Sequence, residues 1–448
     1  MIRKHVRSSW ILVVLVVALA LGMAACKSDN NDKPGDGGTA EPTVFVTATP
    51  YAGTIITPDD VLEKDPAVTK RAVLEWGSMF ELSGPPQVQG FGKPTSDGVK
   101  LAVQEINEAG GFQVGDTIYT IELIEHDTQS NVANTRAVAT ELVQDDNVKV
   151  IFGPATLGET EATLITQRAE VLHLCPCQQR EKNALETVDK AHGDSRWAFQ
   201  TLLPFSLLIT QAAKNFKIEN PDLHSMALIC QDSETARDIC ERTKQAYEAN
   251  GIEIVGDVQY FPVGTTDYKP FLTRLQGGNP DYLFNYDDPL STVEIVKQAL
   301  QLGIGKLHLV TVPANLVQAL IGFEFDVPIS AGAAPRQDVL PTTEKAAAYF
   351  QRYRDFLGVD QLPPASFVSL MTYDYVYMMA AAMQEAGTVD DTTKISEALE
   401  TLHYNGVAED DLFFNSRHLA VHGTEPCTVR YDEPIVCTHN PPPPEAAQ

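Results

Sequence analysis

The chain has 448 residues, of which 44% are hydrophobic and 21% charged, which is enough for two or three globular domains with a sizeable core. Its 60 acidic side chains outnumber 33 basic ones, and a formal charge of −27 repels nucleic acid and anionic lipid headgroups, so nucleic acid is not expected as a partner. The charge reads as a solubility feature and does not give the sign of any buried pocket.

In chain order, residues 1–25 combine a basic start (Arg3, Lys4, Arg7) with an apolar run from Trp10 to Ala25. The run is shorter than the roughly 20 residues a spanning helix needs, so it reads as a secretory signal. It ends Leu21-Gly-Met-Ala-Ala25-Cys26, which resembles the lipobox of bacterial lipoproteins. That resemblance implies a lipid anchor at Cys26 and a place outside the cytoplasm, on the cell surface or in the periplasm; several acyl chains make a stable anchor. The plainer reading is a signal peptide with a chance cysteine. Residues 26–67, rich in Gly, Pro, Thr and Asp, read as a flexible tether.

From Arg71 onward strand and helix patterns alternate. Val73–Met79 reads as a strand. Val99, Ala102, Val103 and Ile106 fall at helical spacing after a cap at Ser96 or Asp97, and Gly110-Gly111 stops that helix. Ile118–Glu125 (strand), Asn131–Gln144 (helix) and Val148–Phe152 (buried strand) follow. A second series comprises strand Ser225–Gln231, helix Glu234–Ala249, strand Ile252–Tyr260, helix Pro270–Gln276, strand Asp281–Tyr286, helix Pro289–Leu302 and strand Leu307–Val312. Helices are expected over 343–358 and 366–386. Such β-α alternation predicts parallel sheets covered by helices, with ligands at the carboxyl ends of the strands.

Beyond Cys26 there are six cysteines, an even number where disulfides are permitted, with 15 connectivities. Proximity in sequence favours Cys230 with Cys240 and Cys427 with Cys437. Cys175 and Cys177 flank Pro176; in extended chain their Cα atoms lie about 6.6 Å apart, so pairing them needs a turn or strain. Cys-Pro-Cys is also where a thiol-redox reading would start, although redox pairs usually have two intervening residues. The histidines His403, His418, His422 and His439 match no zinc template and read as exposed loop residues. Gly90-Phe-Gly92-Lys93 fails as a phosphate loop, since Pro94 stands where Ser or Thr is needed and Gln87 where the first glycine belongs. No hydrolase or dinucleotide motif occurs, so no enzyme activity, cofactor or metal is expected.

Three motifs stand in order between Gly77 and Pro154. Ser83-Gly84-Pro85 and Phe91-Gly92 lead into a helix closed by Ala109-Gly110-Gly111; a strand ends at His126-Asp127; and a second helix precedes Val150-Ile-Phe-Gly153-Pro154. This order resembles the extracytoplasmic solute-binding proteins of ABC importers, of the leucine/isoleucine/valine-binding type, over roughly residues 71–435. The resemblance implies the type I periplasmic binding protein fold: α/β, two Rossmann-like lobes with parallel sheets joined by a three-segment hinge. Lobe 1 would comprise 68–202 and 335–414, lobe 2 would comprise 203–334 and 415–440, and 441–448 would be a disordered tail.

The same resemblance implies a cleft lined by specific residues. Phe91 either lines it beside Gly92 or belongs to the lobe core. The loop Gly153–Gly158 matches one whose hydroxyls and backbone N–H groups hold a ligand carboxylate at a helix start. Leu157 stands where serine is usual, leaving Thr156, Gly158 and Thr160. Cys177 and Gln179 take the contact positions of the next loop, and Thr235 stands where an aromatic is frequent. Asp288 before Pro289 reads as a helix cap, whereas Asp287 remains free to meet a ligand cation. Ala314 replaces the acidic partner of a ligand ammonium. Because an unpaired buried ammonium is costly, an α-amino acid ligand requires Asp287 or another acid; amides, urea-like solutes, short carboxylates and aromatic acids stay open. The expected function is a monomeric binder that captures a small-molecule solute and delivers it to an ABC permease by hinge closure. The alternatives are a sensor of the same fold without transport, and a redox protein using Cys175 and Cys177.

Overall fold

Alternating strands and helices form two separate sheets in the computed structural model, which describes residues 51–176, 195–202, 205–262, 264–286, 289–310, 327–331, 343–363, 366–423 and 427–437. The signal segment, Cys26, most of the expected tether and the tail at 441–448 lie outside the described residues. The described end of the tether is folded. Helix α1 (Pro58–Leu62) carries a reciprocal cap in which Thr57 and Asp60 satisfy each other's backbone N–H, and Val61 is fully buried. Lys64 and Asp65 bond to Gly111 and Gln113, fixing this stretch to the body. A Pro- and Asp-rich composition suggested a tether; one buried valine and a capping box were enough to dock its last turn.

The first sheet contains β1 (Lys70–Phe80), β2 (Phe112–Val114), β3 (Thr117–Asp127), β4 (Val150–Phe152), β5 (Leu172–Cys175) and β6 (Ala198–Gln200) in the order β2-β3-β1-β4-β5-β6, all parallel except β2. Its helices are α2 (Pro86–Glu108), α3 (Val132–Gln144) and α4 (Glu159–Arg168). Successive strand residues point to opposite faces: Phe80 and Phe152 join one apolar cluster, Met79 and Ile151 another. Helix α2 starts at Pro86, well before the cap expected at Ser96 or Asp97. A proline is preorganised for the first helical turn, and the interior Pro94, ordinarily a breaker, is accommodated with the Thr95 hydroxyl donating to the Phe91 carbonyl at 2.6 Å.

The second sheet follows α5 (Phe205–Glu219). It contains β7 (Ser225–Gln231), β8 (Glu253–Ile254), β9 (Gln259–Phe261), β10 (Tyr282–Tyr286), β11 (Leu307–Val310) and β12 (Ile329–Ala331), all mutually parallel. Helices α6 (Glu234–Ala249), α7 (Lys269–Gln276) and α8 (Pro289–Gln301) connect them. Met226, Leu228 and Cys230 of β7 pack on one face, Ala227 and Ile229 on the other, which is why the strand reads as a continuous apolar run. The strand expected over 252–260 is two short strands, separated by Gly256 at φ 75°. The Cys230–Cys240 disulfide ties β7 to α6. Cys175 and Cys427 are also disulfide-bonded.

The chain then returns to the first core. Helices α9 (Glu344–Leu357), α10 (Phe367–Ala386) and α11 (Thr392–Thr401) contribute Tyr349, Tyr373, Met379 and Leu399 to the cluster that holds Trp76 and Phe152. Every residue of α10 from Phe367 to Met383 is buried, as its apolar circumference requires. The return extends beyond 414, because the hairpin β13 (Phe413–Phe414) and β14 (Ala420–Val421) still packs there through Phe414 and Ala420. Strands β15 (Cys427–Val429) and β16 (Val436–Cys437) then rejoin the second sheet, antiparallel. His418 and His422, expected on exposed loops, are buried; His418 bridges the Ala198 carbonyl and Glu400.

Helix α10 lies against α2 at Gly98, where a Cβ would sit 2.1 Å from the Ser369 carbonyl oxygen, and the Thr372 hydroxyl donates to the Thr95 carbonyl beside it. Gly98→Ala must push the two helices apart. Its expected cost is about 1–3 kcal/mol in urea unfolding; an unchanged unfolding midpoint would remove this contact from the determinants of the fold.

Candidate functional site

In the first sheet the strand order reverses between β1 and β4, so the crevice at their carboxyl ends is where an open α/β sheet places a ligand. Strand β1 delivers Glu81 one residue past its end, and β4 delivers the loop 153–158 that opens α4. Glu81 is fully buried. Its Oε1 accepts from the Thr156 N–H at 2.9 Å, the Thr156 hydroxyl at 3.0 Å and the Leu157 N–H at 2.8 Å, and its Oε2 accepts from the Ala155 N–H at 3.1 Å. The first N–H groups of a helix and of the turn leading into it lack intrahelical partners and point outward with partial positive charge, which makes such a loop an anion cradle. Here the anion is a side chain of the chain itself.

The surroundings hold this cradle in place. A Cβ at Gly92 would lie 2.4 Å from the Glu81 carbonyl oxygen, so α2 rests directly on the Glu81 backbone. Gly158 caps α4 with a left-handed φ of 82°, and its Cα faces Thr135, whose hydroxyl donates to the Leu157 carbonyl at 3.0 Å. The buried His173 ring spans the Gly153 carbonyl through Nε2 and the Thr163 hydroxyl through Nδ1. Cys175 Sγ lies 3.3 Å from the Pro154 carbonyl oxygen. Strand β5 therefore supports the loop from below, and α3 supports it from the side.

The residues expected to hold a solute carboxylate thus meet Glu81 instead. Thr156 and Leu157 donate to it, and Gly158 sets the turn. Phe91 sits in α2, half-buried, and packs against Phe367 and Val368, consistent with its core reading. Cys177, Gln179, Asp287 and Ala314 lie outside the described residues, as does the side chain of Thr235 in the first turn of α6. Glu81 was not singled out by the sequence, although an acidic residue directly after an apolar strand end was a signal that it needed a partner.

At the carboxyl edge of the second sheet, beyond β7 and in β9, another group was also missed. Arg237 lies over the Tyr260 ring at 4.0 Å from its centroid and pairs with Asp232 at 2.7 Å. The Tyr260 hydroxyl donates to Glu241 at 3.2 Å. This edge offers a cation, carboxylates and an aromatic face. Among the described residues no group of three or more His, Cys, Asp and Glu side chains could hold a metal ion.

With this architecture in place, the chain belongs to the periplasmic binding protein family, whose pattern matches residues 77–430, a family of non-enzymatic transporter substrate-binding proteins. It is 25% identical over 237 residues to Leu/Ile/Val-binding protein homolog 7 of Brucella abortus (strain 2308), covering 52% of this chain and 57% of that protein. The chain therefore spans little more than half the length of that relative in the match. Among solved structures it resembles the branched-chain amino acid transporter substrate binding protein LivJ of Streptococcus pneumoniae in complex with isoleucine, with a TM-score of 0.65 and 22% identity over 82% of this chain and 100% of that one. It also resembles an ABC transporter solute binding protein of Rhodopseudomonas palustris HaA2 in complex with p-hydroxybenzoic acid, with a TM-score of 0.64 and 18% identity over 83% of this chain and 96% of that one. These likenesses confirm the type I periplasmic binding protein fold.

Burial lowers the pKa of both His173 and His308 to about 4, against the opposing pull of their carbonyl partners. Both are neutral in the folded protein, whereas in the unfolded chain they take up protons below about 6.5. Their stabilising contribution is complete above about pH 6.5 and drains away as the pH falls towards about 4. Urea midpoints of wild type and His173→Gln, measured from pH 7 to pH 4.5, should therefore converge as the pH falls; a constant gap would mean that His173 does not titrate as placed.

Proposed function

We propose that this protein is the extracytoplasmic, lipid-anchored solute-binding component of an ABC importer. It captures a small polar solute, from among amino acids, amides, urea-like compounds and carboxylates, between the carboxyl edges of its two sheets. Hinge closure then presents the loaded form to the permease. The observation that carries this reading is the path of the chain: β1 to β6 build one sheet, β7 to β12 the second, α9 to β14 return to the first core, and β15 and β16 rejoin the second. Three connections between two sheets, each with a switch point at its carboxyl edge, suit a hinge that closes on a ligand. Binding then shifts the population toward the closed form through its differential affinity.

Family membership supports the binding role, and the complexes of the structural neighbours with isoleucine and p-hydroxybenzoic acid support a small organic solute. The attachment we propose is an acyl anchor at Cys26, on the lipobox-like run that ends there. Cys26→Ser should abolish labelling by a radiolabelled fatty acid and release the protein from the membrane fraction. Retention of full labelling would discard the anchor and leave the binding role standing.

The binding role is tested by thermal unfolding against a panel of amino acids, amides, urea analogues and aromatic acids. A solute at 100 times its Kd should add about 2.7 kcal/mol of stability. A panel in which nothing raises the melting temperature would count against the importer reading.

A further inference from the structure

We propose that Glu81 is a built-in occupant of the anion cradle at the start of α4, and that it sets specificity by turning away carboxylate-bearing solutes. On the reading that this protein binds a small solute, the solute is then a polar compound without a carboxylate group: an amide, a urea-like molecule or an amine.

Four donors of the cradle are engaged. The N–H groups of Ala155, Thr156 and Leu157 and the Thr156 hydroxyl each donate to a Glu81 oxygen, three to Oε1 and one to Oε2. Position 157, a leucine, adds no side-chain donor to share with a second anion. Glu81 is not a mobile lid over the loop: it is fully buried, and Gly92 of α2 presses on its backbone. A solute carboxylate could reach these donors only by displacing a side chain that is already in place and is tethered at high effective concentration. If it came to rest alongside instead, two like charges would repel each other in a site of low dielectric. A solute that presents N–H groups meets neither obstacle.

The test joins a chemical rescue to the solute panel. Glu81→Ala empties the cradle, and its melting temperature should fall by several degrees. Sodium formate at 50 mM, compared with sodium chloride at equal ionic strength, should then restore a saturable part of that loss while leaving wild type unchanged. In the wild-type panel, amides, urea analogues and amines should raise the melting temperature, whereas isoleucine, benzoate and 4-hydroxybenzoate should not. The variant should bind formate at least tenfold more tightly than wild type by calorimetry.

The specificity proposal is overturned if a carboxylate stabilises wild type at least as well as its amide counterpart, and the occupancy proposal is overturned if formate acts equally on wild type and variant. Rescue by formate with no response of wild type to any solute would retain Glu81 in the cradle but reject the solute-binding role, so the two failures are distinguishable. Should Glu81→Ala not fold, Glu81→Gln preserves the volume. The amides of Ala155, Thr156 and Leu157 should then exchange hydrogen at least tenfold faster than in wild type, and equal protection would overturn the assignment.

Discussion

A carboxylate taken wholly out of water must be compensated by donors, or the fold loses several kcal/mol. Glu81 stands at the carboxyl end of the central strand of the first sheet, and the compensation comes from the loop that leaves the neighbouring strand. That single set of hydrogen bonds fixes much else. It fixes where the first turn of α4 sits relative to β1. It also requires glycine at 92, because the helix that covers Glu81 must approach its backbone closely. Finally, it determines what the switch point can offer a solute, since the donors that would otherwise face the crevice point at a side chain. Charge-assisted hydrogen bonds of this kind are roughly twice as strong as neutral ones, so the cradle and its occupant act as a rigid unit.

The first core contains a second buried carboxylate, and the comparison separates two uses of the same chemistry. Asp374 of α10 is fully buried and accepts from the Val407 and Ala408 N–H groups, one on each oxygen. Burial pushes its pKa up to about 7 despite those two bonds. Its task is to hold segment 405–408 against α10, where Gly406 leaves room for the carboxylate. Glu81 has twice as many donors and lies where α/β sheets bind ligands. Location and donor count, more than burial, distinguish it from Asp374.

The sequence made the second series of elements legible almost to the residue. Ser225–Gln231 and Glu234–Ala249 have the expected bounds because an apolar run and a Ser233 cap bracket them. Weak local signals were lost. The three-residue β2 is too short for a period, and the strand expected over 252–260 is divided at Gly256. At α2, the interior Pro94 and the spacing of Val99 to Ile106 concealed a start at Pro86. For the site, the family resemblance pointed to the loop 153–158 as a set of donors for a ligand carboxylate, and in the structure those donors meet Glu81. Its occupant was not legible, because Glu81 lies 75 residues before Thr156 and only the parallel pairing of β1 with β4 brings them together. Composition likewise carried no sign that Val61 would dock in the first core.

The carboxyl edge of the second sheet, like the Glu81 cradle of the first, is matched by side chains of the chain itself. At the carboxyl edge of the second sheet, the exposed Arg237 rests on Tyr260 and is paired with Asp232. An exposed ion pair adds little stability, and α6 is already held to the sheet by apolar packing and by the Cys230–Cys240 bond to β7. A guanidinium already matched by a carboxylate and an aromatic face has little need of a second anion. Asp232 accepts from Arg237, Glu241 accepts from the Tyr260 hydroxyl, and the guanidinium covers the Tyr260 ring, so the polar groups of this edge are engaged with one another. The two edges thus share one feature, polar groups matched by partners within the chain, although neither sheet repeats the other's residues.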